Sequence, residues 1–162
     1  MTQKILVLDE GTTSTRAMLL GADGTLYGSA QQELTQHYPE PGRVEHDATE
    51  IWHRTLAWAR ELVEKAGGAD QLAGIGITNQ RETVVAWDRN SGEPLARALV
   101  WQDRRTADFC ETLKQAGHEP SVQKQTGLLL DPYFSGTKMR WLVQNEPAVK
   151  AASEAGTLAL GT

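Results

Sequence analysis

Apolar residues fall along this chain in short blocks separated by stretches rich in glycine, proline and hydroxyl groups. Ile5-Leu-Val-Leu8 is a continuous apolar run ending in Asp9-Glu-Gly, the pattern of a buried strand whose carboxyl end opens into a polar turn. Ala17-Met-Leu-Leu20 and Leu26-Tyr-Gly-Ser-Ala30 flank Ala22-Asp-Gly24, and an Asp-Gly pair between apolar stretches predicts a hairpin. Three strands are therefore expected to open the chain. Tyr38-Pro-Glu-Pro-Gly42 predicts a loop, because two prolines and a glycine withhold regular ladder and helix bonding.

Asp47-Ala-Thr-Glu50 places a carboxylate cap and an acidic residue three positions later, which together satisfy the free amides of a helix start. Behind it Ile51, Trp52, Thr55, Leu56, Ala59, Leu62, Val63 and Ala66 recur at helical spacing, and Gly67-Gly68 supplies a left-handed stop. Ala73 to Thr78 and Thr83 to Trp87 read as strands around a second polar turn, Asn79-Gln-Arg-Glu82. Asp88 to Gly92 is a turn before a further strand, Leu95 to Trp101. From Arg104 the pattern is helical up to Gly117, and Thr126 to Phe134 is a loop carrying apolar and aromatic residues. Lys138 to Gln144 predicts a short helix, Pro147 suits the first turn of the next, and Thr157 to Thr162 reads as a strand. With nothing to terminate that strand, the chain is expected to stop within a domain.

Composition narrows the class. The chain has 162 residues, 40% apolar and 23% charged, which suits one soluble domain or a piece of a larger one. A net charge of −5 with scattered Lys and Arg argues against a nucleic-acid or membrane-surface partner. Cys110 is the only cysteine, which excludes an intrachain disulfide framework and suits a small core residue in a reducing compartment. The apolar run behind Met1-Thr-Gln-Lys is too short for a leader or a membrane span, so the expected location is cytoplasmic. None of the four histidines pairs with another histidine or with cysteine at metal-ligand spacing, and no serine sits in a nucleophile elbow.

Two polar turns carry the candidate chemistry. Asp9-Glu-Gly-Thr-Thr-Ser-Thr-Arg16 combines a carboxylate at a strand end, a glycine that allows close backbone approach, four hydroxyls and an arginine. Thr12, Thr13 and Ser14 can donate to phosphate oxygens, Arg16 can neutralise charge through its fork of donors, and Asp9 can hold hydrated magnesium. The turn leads into a strand and lacks Gly-Lys-Ser/Thr, so it is not of the Walker type. In Asn79-Gln-Arg-Glu82, Arg81 can donate to one hydroxyl of a polyol while Glu82 accepts from its neighbour. Trp101-Gln-Asp-Arg-Arg-Thr106 offers an aromatic wall, and Tyr133, on a loop, offers a ring and a hydroxyl. Each also has a plain structural alternative: a hydroxyl-rich turn, a surface Arg-Glu ion pair, a core tryptophan with two solvated arginines, and loop packing.

The motifs Asp9-Glu-Gly-Thr-Thr-Ser, Pro41-Gly-Arg-Val-Glu-His-Asp47, Gly76-Ile-Thr-Asn-Gln-Arg-Glu82, Trp101-Gln-Asp-Arg-Arg-Thr106 and Asp131-Pro-Tyr-Phe-Ser-Gly-Thr-Lys138, in order and spacing, resemble those of the glycerol kinases over essentially the whole chain. The resemblance implies an α/β domain of the actin-like ATPase, ribonuclease H-like fold with opening antiparallel strands, incomplete at its carboxyl end. It implies that residues 1–162 form the amino-terminal domain of a two-domain kinase that transfers the ATP γ-phosphoryl group to glycerol with magnesium. In that reading Thr12, Thr13, Ser14 and Arg16 contact nucleotide phosphates, with Thr12 also near the acceptor, and Asp9 lies on the metal side. Arg81, Glu82 and Tyr133 would hold glycerol hydroxyls, with Trp101 against the carbon backbone. Glu10 stands where many relatives carry Gln, and Asp103 is at a variable position. The catalytic base is expected beyond Thr162, so the chain alone is expected to be inactive, and the parent enzyme is expected to be a homo-oligomer. A xylulokinase-like sibling and a non-catalytic actin-like nucleotide-binding module are the alternatives.

Overall fold

The computed structural model describes residues 4–162, so the amino-terminal reading of Met1 to Gln3 falls outside it. In chain order the elements are β1 (Lys4–Glu10), β2 (Ser14–Gly21), β3 (Leu26–Glu33), β4 (Glu45–His46), α1 (Ala48–Ala66), β5 (Leu72–Thr78), β6 (Val85–Asp88), β7 (Ala98–Leu99), α2 (Ala107–Gln115), α3 (Glu119–Thr126), α4 (Ser135–Asn145), α5 (Pro147–Ala155) and β8 (Leu158–Gly161). They form two compact units.

The first unit takes in the chain up to Thr35 and Asp47–Gln80. Its sheet has the order β3-β2-β1-β5, with β1, β2 and β3 antiparallel and β5 parallel to β1. The three expected opening strands are present, and the Asp-Gly turn joins β2 to β3 with Gly24 at φ 83°. Because strand side chains alternate, Thr15, Ala17 and Leu19 of β2 point to one face and are buried, while Ser14, Arg16 and Met18 point to the other. Leu62 of α1 packs on Leu6 and Ala17, with Leu8, Trp58, Ala59, Val63 and Leu72 around them. Burying a leucine such as Leu6 or Leu62 contributes about 1.5–3 kcal/mol.

The ends of α1 follow the sequence signals. Asp47 Oδ1 accepts from the amides of Thr49 and Glu50 at 2.9 and 3.3 Å, and Gly67 closes the helix at φ 98°. Trp52, on the expected apolar stripe, is 61% exposed. On β5, Ile75 and Ile77 are registered with Leu6 and Leu8, yet they are 60% and 71% exposed.

The second unit comprises Gln36–His46 and Arg81–Thr162. Two short antiparallel pairs, β4 with β7 and β6 with β8, bring together a core of Val84, Ala86, Leu99, Leu142 and Val149. The strand expected over Leu95 to Trp101 contracts to Ala98–Leu99. Its continuation leaves the ladder because the Val100 amide bonds the Val44 carbonyl and the Trp101 amide bonds the Thr83 hydroxyl. The residue pattern does not announce helix α3: it is eight residues long, buries none of them, and so has no apolar stripe to read. Helix α4 begins three residues before Lys138, at Ser135, and Pro147 opens α5 as expected. Cys110 is a buried core thiol.

Candidate functional site

The first polar turn joins β1 to β2 in the first unit, with Gly11, Thr12 and Thr13 between the strands. A Cβ on Gly11 would lie 2.8 Å from the Ser14 carbonyl oxygen, so only glycine lets the chain double back this tightly. The turn is tied down from three sides. Gln80 Nε2 donates to the Gly11 carbonyl at 2.7 Å, the Leu34 amide donates to the Thr13 carbonyl at 2.9 Å, and Gln31 Nε2 donates to Ser14 Oγ at 2.9 Å.

The two carboxylates at the end of β1 have different surroundings. Glu10 accepts from Thr15 Oγ1 at 2.7 Å and from Thr55 Oγ1 at 2.6 Å, which fastens the turn to α1. Thr15 is fully buried beside Thr55, so its hydroxyl serves the fold, whereas Thr12, Thr13 and Ser14 lie at the turn itself. Asp9 lies opposite Arg16 in the β1–β2 register, and among the described residues neither side chain has an ion pair. Arg16 Nε is buried and has no hydrogen-bond partner among the described residues. An arginine with an orphaned donor, next to three hydroxyls and one carboxylate, is equipped to take an anion with its hydrated cation. No group of three or more carboxylate, histidine or cysteine ligands exists among the described residues, so a divalent ion here would be held by Asp9, water and the anion's own oxygens.

The second cluster lies in the second unit. Arg81 is exposed and has no ion pair among the described residues, so the surface Arg81–Glu82 pair that the sequence left open does not form. Glu82 has φ 67°, the left-handed region that side chains other than glycine rarely enter. Its Oε2 accepts from the Ser135 amide at 2.7 Å and from the Ser135 hydroxyl, where a carboxylate meets the positive end of α4. Tyr133 is edge-on to both Trp101 and Phe134, with ring centroids 5.8 and 5.1 Å apart, and its amide donates to Asp131 Oδ1 at 2.8 Å.

Around Trp101 the structure revises the expectation of two solvated arginines. Arg104 is exposed, but the Arg105 side chain is 2% exposed. It forks onto Asp103, with Nε and Nη2 each at 2.9 Å from a carboxylate oxygen, reaches Glu45 at 2.7 Å, and stacks 4.4 Å from the Trp141 ring. Asp103 is fully buried and also accepts from the Val44 amide at 2.7 Å, so this position is a structural anchor. Sequence reasoning missed the buried pair, the serine at the start of α4, and Lys138. The last had a signal: Lys138 falls four residues before Leu142, on the buried face of a helix.

The FGGY family of carbohydrate kinases, N-terminal domain, matches residues 4–159. The glycerol kinases of Dechloromonas aromatica and Alcanivorax borkumensis are each 57% identical to the chain, over 99% and 98% of it. The chain spans 32% of the length of each of these relatives, about a third. Among solved structures, Plasmodium falciparum glycerol kinase with ADP superimposes with a TM-score of 0.90 at 33% identity, covering 99% of this chain and 32% of that one. Xylulose kinase from Rhodospirillum rubrum gives 0.81 at 30% identity, covering 93% and 31%. The α/β fold with its antiparallel opening strands is the actin-like one of these kinases.

Proposed function

The chain belongs to the FGGY family of carbohydrate kinases as its N-terminal domain, and from that premise we propose that the protein carrying it phosphorylates glycerol, converting ATP and glycerol to ADP and glycerol 3-phosphate. The observation that carries this reading is in the second unit. Glu82 is locked on Ser135 through one oxygen, two residues from a tyrosine ring that stands edge-on to Trp101. A small polyol needs a carboxylate to accept one hydroxyl, a cation to donate to the next, and an apolar ring for its carbon side. Glu82, Arg81 and the Trp101–Tyr133 pair supply these.

The β1–β2 turn supplies the phosphate chemistry. Thr12, Thr13 and Ser14 donate to phosphate oxygens, Thr12 to those of the transferred group, and Arg16 offers its unpartnered Nε to the developing charge. Asp9 would hold hydrated magnesium, which neutralises phosphate charge when bound. Glu10, already committed to Thr15 and Thr55, keeps the turn in place and does not touch ligand. Phosphoryl transfer is mostly positioning and charge stabilisation, which is what these residues provide.

ATP consumption by the whole protein with glycerol, with xylulose and with no acceptor tests the reading. Glycerol should raise the rate well above the other two, and equal rates in all three would sink it. A response to xylulose alone would assign the protein to the sibling chemistry of the Rhodospirillum rubrum neighbour.

A further inference from the structure

The loop that carries Tyr133 is held from below by a side chain for which the glycerol reading has no use. Lys138 is fully buried in α4, and its Nζ donates to the Pro132 carbonyl at 3.1 Å and to the Tyr133 carbonyl. We propose that Lys138 is a positioning residue of the acceptor site: by gripping the Pro132 and Tyr133 carbonyls it sets the placement of the Tyr133 ring against Trp101, and with it the affinity for a polyol.

Three features support this. A buried ammonium is costly, and a buried ionic group can often be replaced by an apolar side chain without loss of stability, so fold alone is a poor reason to keep a lysine beside Leu142. Its donors go to two successive backbone carbonyls of one loop, the arrangement that fixes a loop's height, whereas an ion pair would bind a single partner. The same loop is closed at its other end by Glu82 on Ser135, so the carboxylate and the ring assigned to the acceptor share one clamp. Burial also pulls the Lys138 pKa down to about 8, against the opposing attraction of Glu82, Asp103, Asp131 and Cys110, which marks how far the group has been drawn from water.

The inference rests on the glycerol reading, and the experiment separates the two. The kcat and the KM values for glycerol and for ATP are measured in the whole protein for wild type, Lys138→Met and Lys138→Gln. Lys138→Met should raise KM for glycerol about 10-fold or more, as expected when hydrogen bonds from a charged group are lost, and leave KM for ATP within twofold. Lys138→Gln keeps amide donors and should recover part of the loss. A Lys138→Met protein with wild-type KM for glycerol, or with KM for glycerol and ATP raised alike, would overturn the assignment. Should circular dichroism show Lys138→Met unfolded, Lys138→Gln decides alone, a KM for glycerol within twofold of wild type counting against Lys138. A wild-type protein with no glycerol dependence overturns the acceptor reading itself, and the role of Lys138 with it.

Discussion

Asp9 and Arg16 face each other across β1 and β2, on the side of the sheet turned away from α1, and no ion pair joins them. Opposite charges at paired positions of an antiparallel ladder usually meet. Here Arg16 Nε stays orphaned and buried, a debt that a phosphate oxygen would settle. Arg16→Ala in the whole protein should therefore weaken ATP binding roughly 10- to 100-fold, the value of one or two charge-assisted bonds, while KM for glycerol changes little. Isothermal titration with ATP and steady-state kinetics check both halves. An ATP affinity within twofold of wild type would remove Arg16 from the phosphate site.

Gly11 tests whether the turn's tightness matters. A methyl at that position would sit 2.8 Å from the Ser14 carbonyl, a backbone atom that can yield only if the turn opens. Gly11→Ala is expected to destabilise the chain by about 1–3 kcal/mol, the usual range for overpacking, and to reduce ATP affinity by displacing Thr12 and Thr13. Thermal melts and titration of the same variant should show both effects. A fully stable variant with normal affinity would mean that the turn has room.

Glu82 holds an unfavourable backbone angle, φ 67°, at the point where its carboxylate meets Ser135. For a residue with a Cβ this costs about 1–2 kcal/mol relative to glycine. Glu82→Gly should recover some of that strain while losing the bond to Ser135, so its melting temperature is expected to move by only a few degrees. Its KM for glycerol, by contrast, should rise at least about 10-fold, because the half-buried carboxylate proposed to accept from a glycerol hydroxyl is removed. A melting temperature that falls steeply with KM unchanged would show Glu82 to be a helix anchor only.

Much of this fold is legible from residue pattern, and the limits are specific. The Asp47 cap, the Gly67 stop, the Asp-Gly hairpin and Pro147 act through local backbone chemistry, so their neighbours in sequence suffice to read them. Strand Leu95 to Trp101 shrinks to two residues because Val100 and Trp101 take partners at Val44 and Thr83, which no local pattern announces. The same holds at the sites. Thr12, Thr13, Ser14, Arg16 and Glu82 can be picked out by residue type. Which carboxylate of Asp9 and Glu10 is already engaged, and which arginine of Arg104 and Arg105 is buried, depends on Thr55, Glu45 and Asp103, residues up to sixty positions away. Lys138 is hidden for the opposite reason: polarity argues for solvent, and only its place on the Leu142 face argues for the interior.

Lys138 also makes stability depend on pH in a direction that can be worked out. Burial lowers its pKa from 10.5 to about 8, with attraction from Glu82, Asp103, Asp131 and Cys110 opposing the shift. Between those values the unfolded chain holds the proton and the folded chain has released it, so stability attributable to this group rises with pH across that window. Below pH ~8 both states are protonated and the folded state bears the full desolvation penalty, a few kcal/mol at most. Lys138→Met removes the dependence. The stability of wild type relative to Lys138→Met, from urea unfolding at intervals from pH 7.5 to 10.5, is expected to improve as pH rises. A flat difference would mean that Lys138 titrates normally.

The sheet of the first unit makes the final prediction, because two pairs of registered neighbours have opposite surroundings. Leu6 is 1% exposed under Leu62, whereas Ile77, registered with Leu8 on the next strand, is 71% exposed. Truncating a packed leucine costs both transfer free energy and a cavity, about 2–5 kcal/mol, while truncating an exposed side chain usually stays within about 0.5 kcal/mol. In the 162-residue chain Leu6→Ala should thus lower the urea midpoint strongly, and Ile77→Ala should leave it nearly unchanged. Repeating Ile77→Ala in the whole protein gives the comparison its meaning. If the midpoint still does not move, Ile77 is exposed there as well; a loss of 2 kcal/mol or more, in the range for buried truncations, would show that β5 is covered in that context.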